Sequence, residues 1–178
     1  MPSDSTFLDL LRDQVTNEFF ASQQYVAVAV YFDGEDLPQL ATRFYAQAIE
    51  ERNHAMMIVK YLLDKGVKVE IPAVPAVRND FDSVRAPVEL ALQQEREVTN
   101  QITALAKAAR AEGDYLGEQF IGWFLKEQVE EVASMTTLLT VVDRADGNLF
   151  HLETFVAREL NTAGAADPTA PEAAGGSL

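Results

Sequence analysis

The sequence predicts an all-α fold, namely a four-helix bundle with one long crossover and a short fifth helix at the C-terminal end. Three observations predict it. Four long segments carry apolar residues at steps of three and four, which is the period of an amphipathic helix. Short glycine-containing turns separate the first segment from the second and the third from the fourth. A long stretch with two prolines and no helical period joins the second segment to the third.

The first two segments are predicted to form a helical hairpin. The first covers about residues 6–33, and Gly34 is expected to end it. The second covers about residues 37–65, because Pro38 suits a first helical turn and Gly66 closes the periodic pattern.

A second hairpin follows the crossover at residues 66–84. Its two helices are expected at about residues 86–112 and 114–144, with Gly113 between them, and the short fifth helix at about residues 149–160. One long crossover between two hairpins makes the predicted bundle up-down-down-up.

Composition excludes several classes of function. The chain of 178 residues has no cysteine, so disulfides, thiolate metal sites and cysteine nucleophiles are excluded. Its net charge of −14 disfavours nucleic acid and anionic membranes as partners. The N-terminus lacks the pattern of a secretory signal, and the longest apolar run, residues 25–32, is far too short for a membrane span. We therefore expect a cytoplasmic protein.

Carboxylates recur in the two halves of the chain at one spacing. Glu18 is followed 33 residues later by Glu51, and His54 comes three residues after that. The corresponding residues, each 77 positions further on, are Glu95, Gln128 and Glu131, and Glu50 and Glu127 obey the same offset. This series matches the ligand set of a diiron site inside a four-helix bundle.

The positions of these residues also indicate a metal site. Glu18 and Glu51 are equally far from the turn at Gly34, so they face each other in the middle of the bundle. All the carboxylates fall on apolar helix faces, where an unpaired carboxylate costs several kcal/mol to bury. Divalent cations are the simplest compensation.

Oxygen-rich ligation with one imidazole favours redox-active iron over structural zinc. The predicted pair of sites shares one bridging carboxylate: site A consists of Glu18, Glu51 and His54, and site B consists of Glu51, Glu95 and Glu131.

Residues 6–160 resemble bacterial non-haem ferritin. The most specific stretches are NEFFASQQY (17–25), EERNHA (50–55), QQER (93–96) and LKEQVEE (125–131). The resemblance implies a ferritin-like domain over residues 1–161 and a shell of 24 subunits. It also implies a ferroxidase that oxidises Fe(II) with dioxygen and stores Fe(III) as a ferric oxyhydroxide mineral in the shell cavity.

The resemblance implies further site residues. A third iron site would use Glu50, Glu127, Glu130 and the shared Glu131. Tyr25 would lie near the diiron centre, where it donates a hydrogen bond or an electron. Gln128 stands at a fourth ligand position and is expected to form hydrogen bonds instead of ligating. Trp123 shares the helix face of Glu127 and Glu130.

Haem is not expected. Haem-containing relatives repeat the Glu-x-x-His motif on the fourth helix, whereas this chain has Gln128 and Glu131 there. They also ligate haem with a methionine after the second-helix glutamate, and this chain has Arg52 at that position.

Two alternatives of other classes remain at this point. One is a non-catalytic or DNA-protecting cage, although small DNA-protecting relatives place their metal site between subunits and often carry basic tails. The other is a different diiron oxidase, although those enzymes usually have the duplicated Glu-x-x-His motif or extra metal domains.

The tail at residues 162–178 is rich in alanine, glycine and proline, and we expect it to be disordered. Its end, AAGGSL (173–178), is alternatively a docking peptide for a partner protein.

Overall fold

Five α-helices follow one another in the part of the chain that the computed structural model describes, residues 6–162 and 167–178. Their bounds are Phe7–Gly34 (α1), Pro38–Asp64 (α2), Arg85–Glu112 (α3), Tyr115–Ala145 (α4) and Leu149–Phe155 (α5). A π-helical turn, Val156–Leu160, continues α5. The helix content and order confirm the predicted fold, and the ends of the four long helices lie within one residue of the predicted ends.

The helix ends follow the local sequence. Gly66, two residues after the end of α2, and Gly113, directly after α3, take left-handed backbone conformations with φ of +73° and +72°. The turn after α1 differs from the prediction. Gly34 is the last residue of α1, and Asp36, with φ of +58°, is the residue that takes the left-handed conformation. Aspartate tolerates this region better than most residues, so the turn forms there without a glycine.

Hydrogen bonds between helices establish their directions. The backbone N–H of Phe7 at the start of α1 donates to Glu112 at the end of α3, 2.6 Å away, so these helices are antiparallel. Lys65 after α2 contacts Asp114 before α4 at 2.8 Å, so α2 and α4 are antiparallel as well. With two hairpins, the order is the predicted up-down-down-up arrangement.

The bundle interior consists of two apolar cores. The core near α5 includes Phe32, Phe44 and Met135, and the core near the other end includes Leu11, Ile58 and Ile121; all six are fully buried. The carboxylate positions of each long helix lie between the residues that the helix gives to the two cores. The candidate site is therefore a polar layer in mid-bundle.

The crossover has an extended course, as predicted, and side chains of α1 fix it. The amide of the buried Gln24 both donates to the carbonyl of Arg78 and accepts from its N–H, each at 2.8 Å. Phe81 packs edge-on against Tyr31 with ring centroids 5.2 Å apart. The Gln24 amide thus satisfies both backbone polar groups of Arg78, which no regular element pairs.

Residues 167–178 lie against α2 and α4, which corrects the expectation of disorder for this part of the tail. The N–H of Ala174 donates to the carbonyl of Met56 at 3.0 Å, and Leu178 exchanges hydrogen bonds with the side chain of Asn53. Residues 163–166 lie outside the described residues, and the domain boundary at residue 161 stays a prediction. Among the described helices, none has the length and apolarity to cross a membrane.

Candidate metal centre

A layer of polar side chains crosses the bundle between the two apolar cores. Its members come from all four long helices and are at most 5% exposed: Glu18, Glu51, His54, Glu95, Gln128 and Glu131. Charged residues are almost never this buried unless something compensates their charge. Such a layer therefore requires a partner of opposite charge or protonation.

Glu18, Glu51 and His54 form the tightest group of the layer. Each residue offers one ligand atom, and the three atoms lie within 4.8 Å of one another. Glu51 and His54 share a face of α2 because they are three residues apart, and Glu18 reaches them from α1. Nδ1 of His54 lies 3.2 Å from Oε2 of Glu51. The structure brings the predicted residues of site A together.

Three carboxylates of the layer share one pattern, in which one oxygen has a partner and the other has none. The partnered oxygens are Oε1 of Glu18 (Gln14), Oε2 of Glu51 (His54) and Oε1 of Glu95 (Tyr25). Their second oxygens are buried and have no hydrogen-bond partner among the described residues. Unpartnered buried oxygens are costly, and a bound cation would satisfy them. This donor set therefore fits divalent metal ions.

Burial raises the pKa of three glutamates in the layer. For Glu95, desolvation raises the pKa to about 7, and the negative charge of Glu18 adds to the effect. Desolvation and the charges of Glu95 and Glu18 raise the pKa of Glu51 well above its usual value. Desolvation and Glu50 do the same for Glu131. The raised pKa values favour the protonated form of these three carboxylates, and a bound cation would favour the charged form.

The predicted residues of site B are close to Glu51 but more loosely arranged. The negative charges of Glu95 and Glu131 both raise the pKa of Glu51, so all three share one region. In the described part of the chain, however, no group of three ligand atoms that includes Glu95 or Glu131 lies within 4.8 Å. Each carboxylate has one oxygen in a hydrogen bond, because Tyr25 donates to Glu95 and Gln47 donates to Glu131.

The structure places Tyr25 and Gln128 beside the carboxylates, where the sequence expected them. The fully buried hydroxyl of Tyr25 donates to Oε1 of Glu95. Oε1 of Gln128 accepts a hydrogen bond from Thr99 at 3.0 Å, and its amide lowers the pKa of Glu95. Tyr25 therefore contacts the layer directly through its hydrogen bond to Glu95, and Thr99 orients Gln128 within the layer.

A second acidic cluster lies at a cavity of about 350 Å³ beside the layer. Ligand atoms of Glu50, His54 and Glu127 lie within 4.8 Å of one another there, and Glu130 lines the same cavity. The third site was expected to include Glu131. Oε2 of Glu131 accepts from Gln47 at 2.7 Å, and the group of three within 4.8 Å includes His54 and not Glu131, so the role of Glu131 in a third site stays a prediction. His54 therefore belongs to both clusters.

Burial and the negative charges of Glu50 and Glu130 raise the pKa of Glu127. This shift has the same cause as those in the inner layer, although Glu127 is only partly buried. The outer cluster thus also favours a cation.

The C-terminal segment reaches this cavity. Oδ2 of Asp167 accepts a hydrogen bond from the indole N–H of Trp123 at 3.1 Å and lies 3.4 Å from Nζ of Lys126. Trp123 in turn packs edge-on against His54, with ring centroids 5.6 Å apart. A chain of contacts therefore connects the tail to the residue that both clusters share.

Sequence reasoning missed three residues that contact the site. Gln14 and Gln47 were not singled out, although each precedes a predicted glutamate ligand by four residues, one helical turn. Asp167 was missed because its segment has no periodic pattern and was expected to be disordered. The spacing was a usable signal for Gln14, which donates to Glu18 one turn later, whereas Gln47 donates to Glu131 on another helix and nothing in the sequence indicated the position of Asp167.

Comparisons with known proteins agree with this geometry. Residues 8–145 match the family described as ferritin-like domain. The chain is 65% identical over 175 residues to ferritin BfrB of Mycolicibacterium smegmatis. The alignment covers 98% of this chain and 96% of that protein. It is 40% identical over 147 residues to the bacterial non-heme ferritin of Staphylococcus aureus. That alignment covers 82% of this chain and 89% of the relative.

Solved structures are similar as well. An open pore ferritin from the hyperthermophilic archaeon Archaeoglobus fulgidus superposes on this chain with a TM-score of 0.83 at 28% sequence identity. The superposition covers 89% of this chain and 99% of that one.

Proposed function

The chain belongs to the ferritin family, and from this premise we propose that it is an iron store with ferroxidase activity. Its substrates are Fe(II) and dioxygen, and its product is a ferric oxyhydroxide mineral in the cavity of a cytoplasmic shell of 24 subunits. The observation that carries the proposal is the buried layer in which Glu18, Glu51 and Glu95 each present one unpartnered oxygen. Such a layer has no evident structural purpose without cations.

Two Fe(II) ions bind as substrate in this layer. Site A uses Glu18, Glu51 and His54, whose ligand atoms already lie within 4.8 Å. Site B uses Glu51 as the bridge together with Glu95 and Glu131, after small movements of the last two carboxylates. Each Fe(II) loses one electron, and dioxygen accepts both electrons together with two protons and leaves as hydrogen peroxide. The carboxylates, which give up their protons as the metal binds, then stabilise the higher charge of Fe(III).

Tyr25 and Gln128 act on site B without ligating. The hydroxyl of Tyr25 keeps one oxygen of Glu95 occupied, so that the other oxygen is directed to the metal. Gln128 lies beside the same carboxylate and lowers its pKa, which favours the charged form that binds a cation. No haem has a role in this proposal.

The outer cluster gives oxidised iron a route out of the layer. His54 is a member of both clusters, so one rotation of its ring or one exchange of ligands connects site A to Glu50 and Glu127. Glu130 lines the same cavity and adds negative charge along the route. Glu131 contributes from the inner side of the layer.

Mutation of site A tests the assignment. We expect Glu18→Ala with His54→Ala to lose the fast phase of Fe(II) oxidation, because two of the three ligands of one metal are removed. The matched control is Glu97→Ala, an exposed glutamate on α3 two residues from Glu95. Stopped-flow absorbance after mixing with oxygen measures the rate. Fast oxidation at the wild-type rate in the double variant would show that the assignment of site A is wrong.

A further inference from the structure

Two buried glutamines contact the carboxylate layer and have no role in the proposed chemistry so far. Gln14 on α1 and Gln47 on α2 are each 1% exposed. A buried amide without hydrogen bonds costs several kcal/mol relative to an apolar residue of the same size, so its presence in the core requires partners. Both glutamines direct their amide nitrogen at a predicted metal ligand.

Gln14 is oriented from both ends of its amide group. Nε2 of Gln14 donates to Oε1 of Glu18 at 2.8 Å, and Oε1 of Gln14 accepts from Nδ2 of Asn17 at 3.3 Å. Because an amide oxygen cannot donate, the contact with Asn17 leaves the NH₂ group facing Glu18. Glu18 then has one oxygen occupied and one buried oxygen, Oε2, without a partner.

Gln47 makes the corresponding contact between the two hairpins. Its Nε2 donates to Oε2 of Glu131 at 2.7 Å, from α2 to α4. One turn earlier on α2, Arg43 donates to Ser134 of α4 at 2.7 Å. These cross-hairpin bonds fix where α4 presents Glu131 relative to Glu51.

We propose that Gln14 and Gln47 are positioning residues of the diiron centre: each holds one oxygen of a glutamate, so that the other oxygen is directed to the metal. Gln14 acts on site A through Glu18, and Gln47 acts on site B through Glu131. This inference rests on the proposed function. Residues that hydrogen-bond metal ligands commonly change metal affinity by about 10–100-fold when they are removed.

The test uses methionine, which has the length and flexibility of glutamine but no donor. Co(II) is the probe, because it binds without being oxidised by air and its visible absorption reports ligand geometry. The assembled, full-length apoprotein is titrated as wild type, Gln14→Met and Gln47→Met. The matched control is Gln24→Met, a glutamine on α1 that is also buried and hydrogen-bonded but contacts the crossover.

We expect the wild type and Gln24→Met to bind two Co(II) ions per chain in the layer with the same affinities. Gln14→Met and Gln47→Met should each lower the binding affinity of one of the two Co(II) ions by about 10–100-fold. The absorption spectrum of that ion should change, and the affinity and spectrum of the other should change little. The midpoint of thermal unfolding of each apoprotein is measured in parallel, so that a loss of folding is recognised.

Three results would overturn the inference. The first is wild-type Co(II) affinity in both glutamine variants. The second is a loss of Co(II) affinity in Gln24→Met equal to that in the other two variants, because the effect would then be a general consequence of removing a buried amide. The third is a wild-type protein without stoichiometric Co(II) binding, which would contradict the proposed function itself. If Gln14→Met does not fold, Asn17→Ala is used instead, because it frees the Gln14 amide to rotate. Asn17→Ala should lower the affinity for the same Co(II) ion.

Discussion

At the residue scale, the raised pKa values of the carboxylates in the layer should make the stability and the proposed metal binding depend on pH. Glu95 ionises near 4.5 when it is exposed, and burial raises its pKa to about 7 in the folded protein without metal. The folded apoprotein therefore binds more protons than the unfolded chain between these two values. Its stability should fall as the pH rises from 4.5 to 7, because the buried group must then become charged.

Metal binding should reverse this trend and release protons. A cation needs the charged carboxylate, so below about pH 7 it displaces the proton of Glu95. We expect Co(II) affinity to weaken as the pH falls from 7 to 5, with protons released on binding, measured with an indicator dye in weakly buffered solution. Binding that is independent of pH over this range, without proton release, would contradict the raised pKa.

The sequence predicted the members of the site better than their arrangement. Glu18, Glu51 and His54 were recognisable because spacing along two helices determines which side chains meet. The position of Glu131 was less predictable, since it depends on a hydrogen bond from Gln47 on another helix. The sharing of His54 by two clusters also depends on side-chain rotamers, which helical periodicity does not specify.

At the element scale, Gly117 leaves space on α4 for the ring of Phe7 on α1. A Cβ atom at this position would lie 2.9 Å from Cζ of the fully buried Phe7. We expect Gly117→Ala to destabilise the protein by about 1–3 kcal/mol, because the ring must move in a filled core.

Gly122 on the same helix is the matched control, because its Cβ would meet nothing within 4 Å. Gly122→Ala should stabilise α4 by about 1 kcal/mol through helix propensity alone. Chemical denaturation of both variants measures the difference. Equal effects of the two substitutions would show that the contact with Phe7 does not constrain α4.

The C-terminal segment is an element that the sequence did not predict, because its contacts use backbone groups and single side chains instead of an apolar face. Trp123 is the only tryptophan of the chain, so its fluorescence reports the position of this segment. We expect Asp167→Asn to loosen the segment, since it removes the charge that faces Lys126 and weakens the acceptor of the indole N–H.

The expected result for Asp167→Asn is a red-shifted emission and stronger quenching by acrylamide. Glu172→Gln, an exposed position in the same segment, serves as the control and should leave the spectrum unchanged. An Asp167→Asn spectrum identical to that of the wild type would mean that the segment does not depend on this contact. An interaction of the segment with another protein stays a prediction.

At the scale of the whole molecule, the α1–α2 hairpin exposes apolar side chains that an isolated subunit does not bury. Val26 and Val30 on α1 are 38% and 55% exposed, and Tyr45 and Ile49 on α2 are 38% and 44% exposed. Each pair is four residues apart, so it lies on one face of its helix. Side chains of this kind at a subunit contact are typical of an oligomeric protein.

We expect Val30→Glu with Ile49→Glu to reduce assembly, because each substitution places a charge in the proposed subunit contact. Sedimentation velocity of the purified protein measures the assembled fraction. Assembly at the wild-type level would show that this face is not an interface. The chain direction and helix order were predictable because loop lengths and periodicity determine them, whereas the stoichiometry depends on angles between subunits that a single chain does not specify.

The central claim is that the buried layer binds and oxidises Fe(II), and anaerobic Fe(II) titration of the assembled apoprotein followed by stopped-flow mixing with oxygen tests it most directly. The account predicts two tightly bound Fe(II) ions per chain in the layer, with a third at the outer cluster. Oxygen should then produce rapid oxidation and a ferric product that remains soluble with the protein. Absence of stoichiometric binding, or oxidation without retained iron, would contradict it.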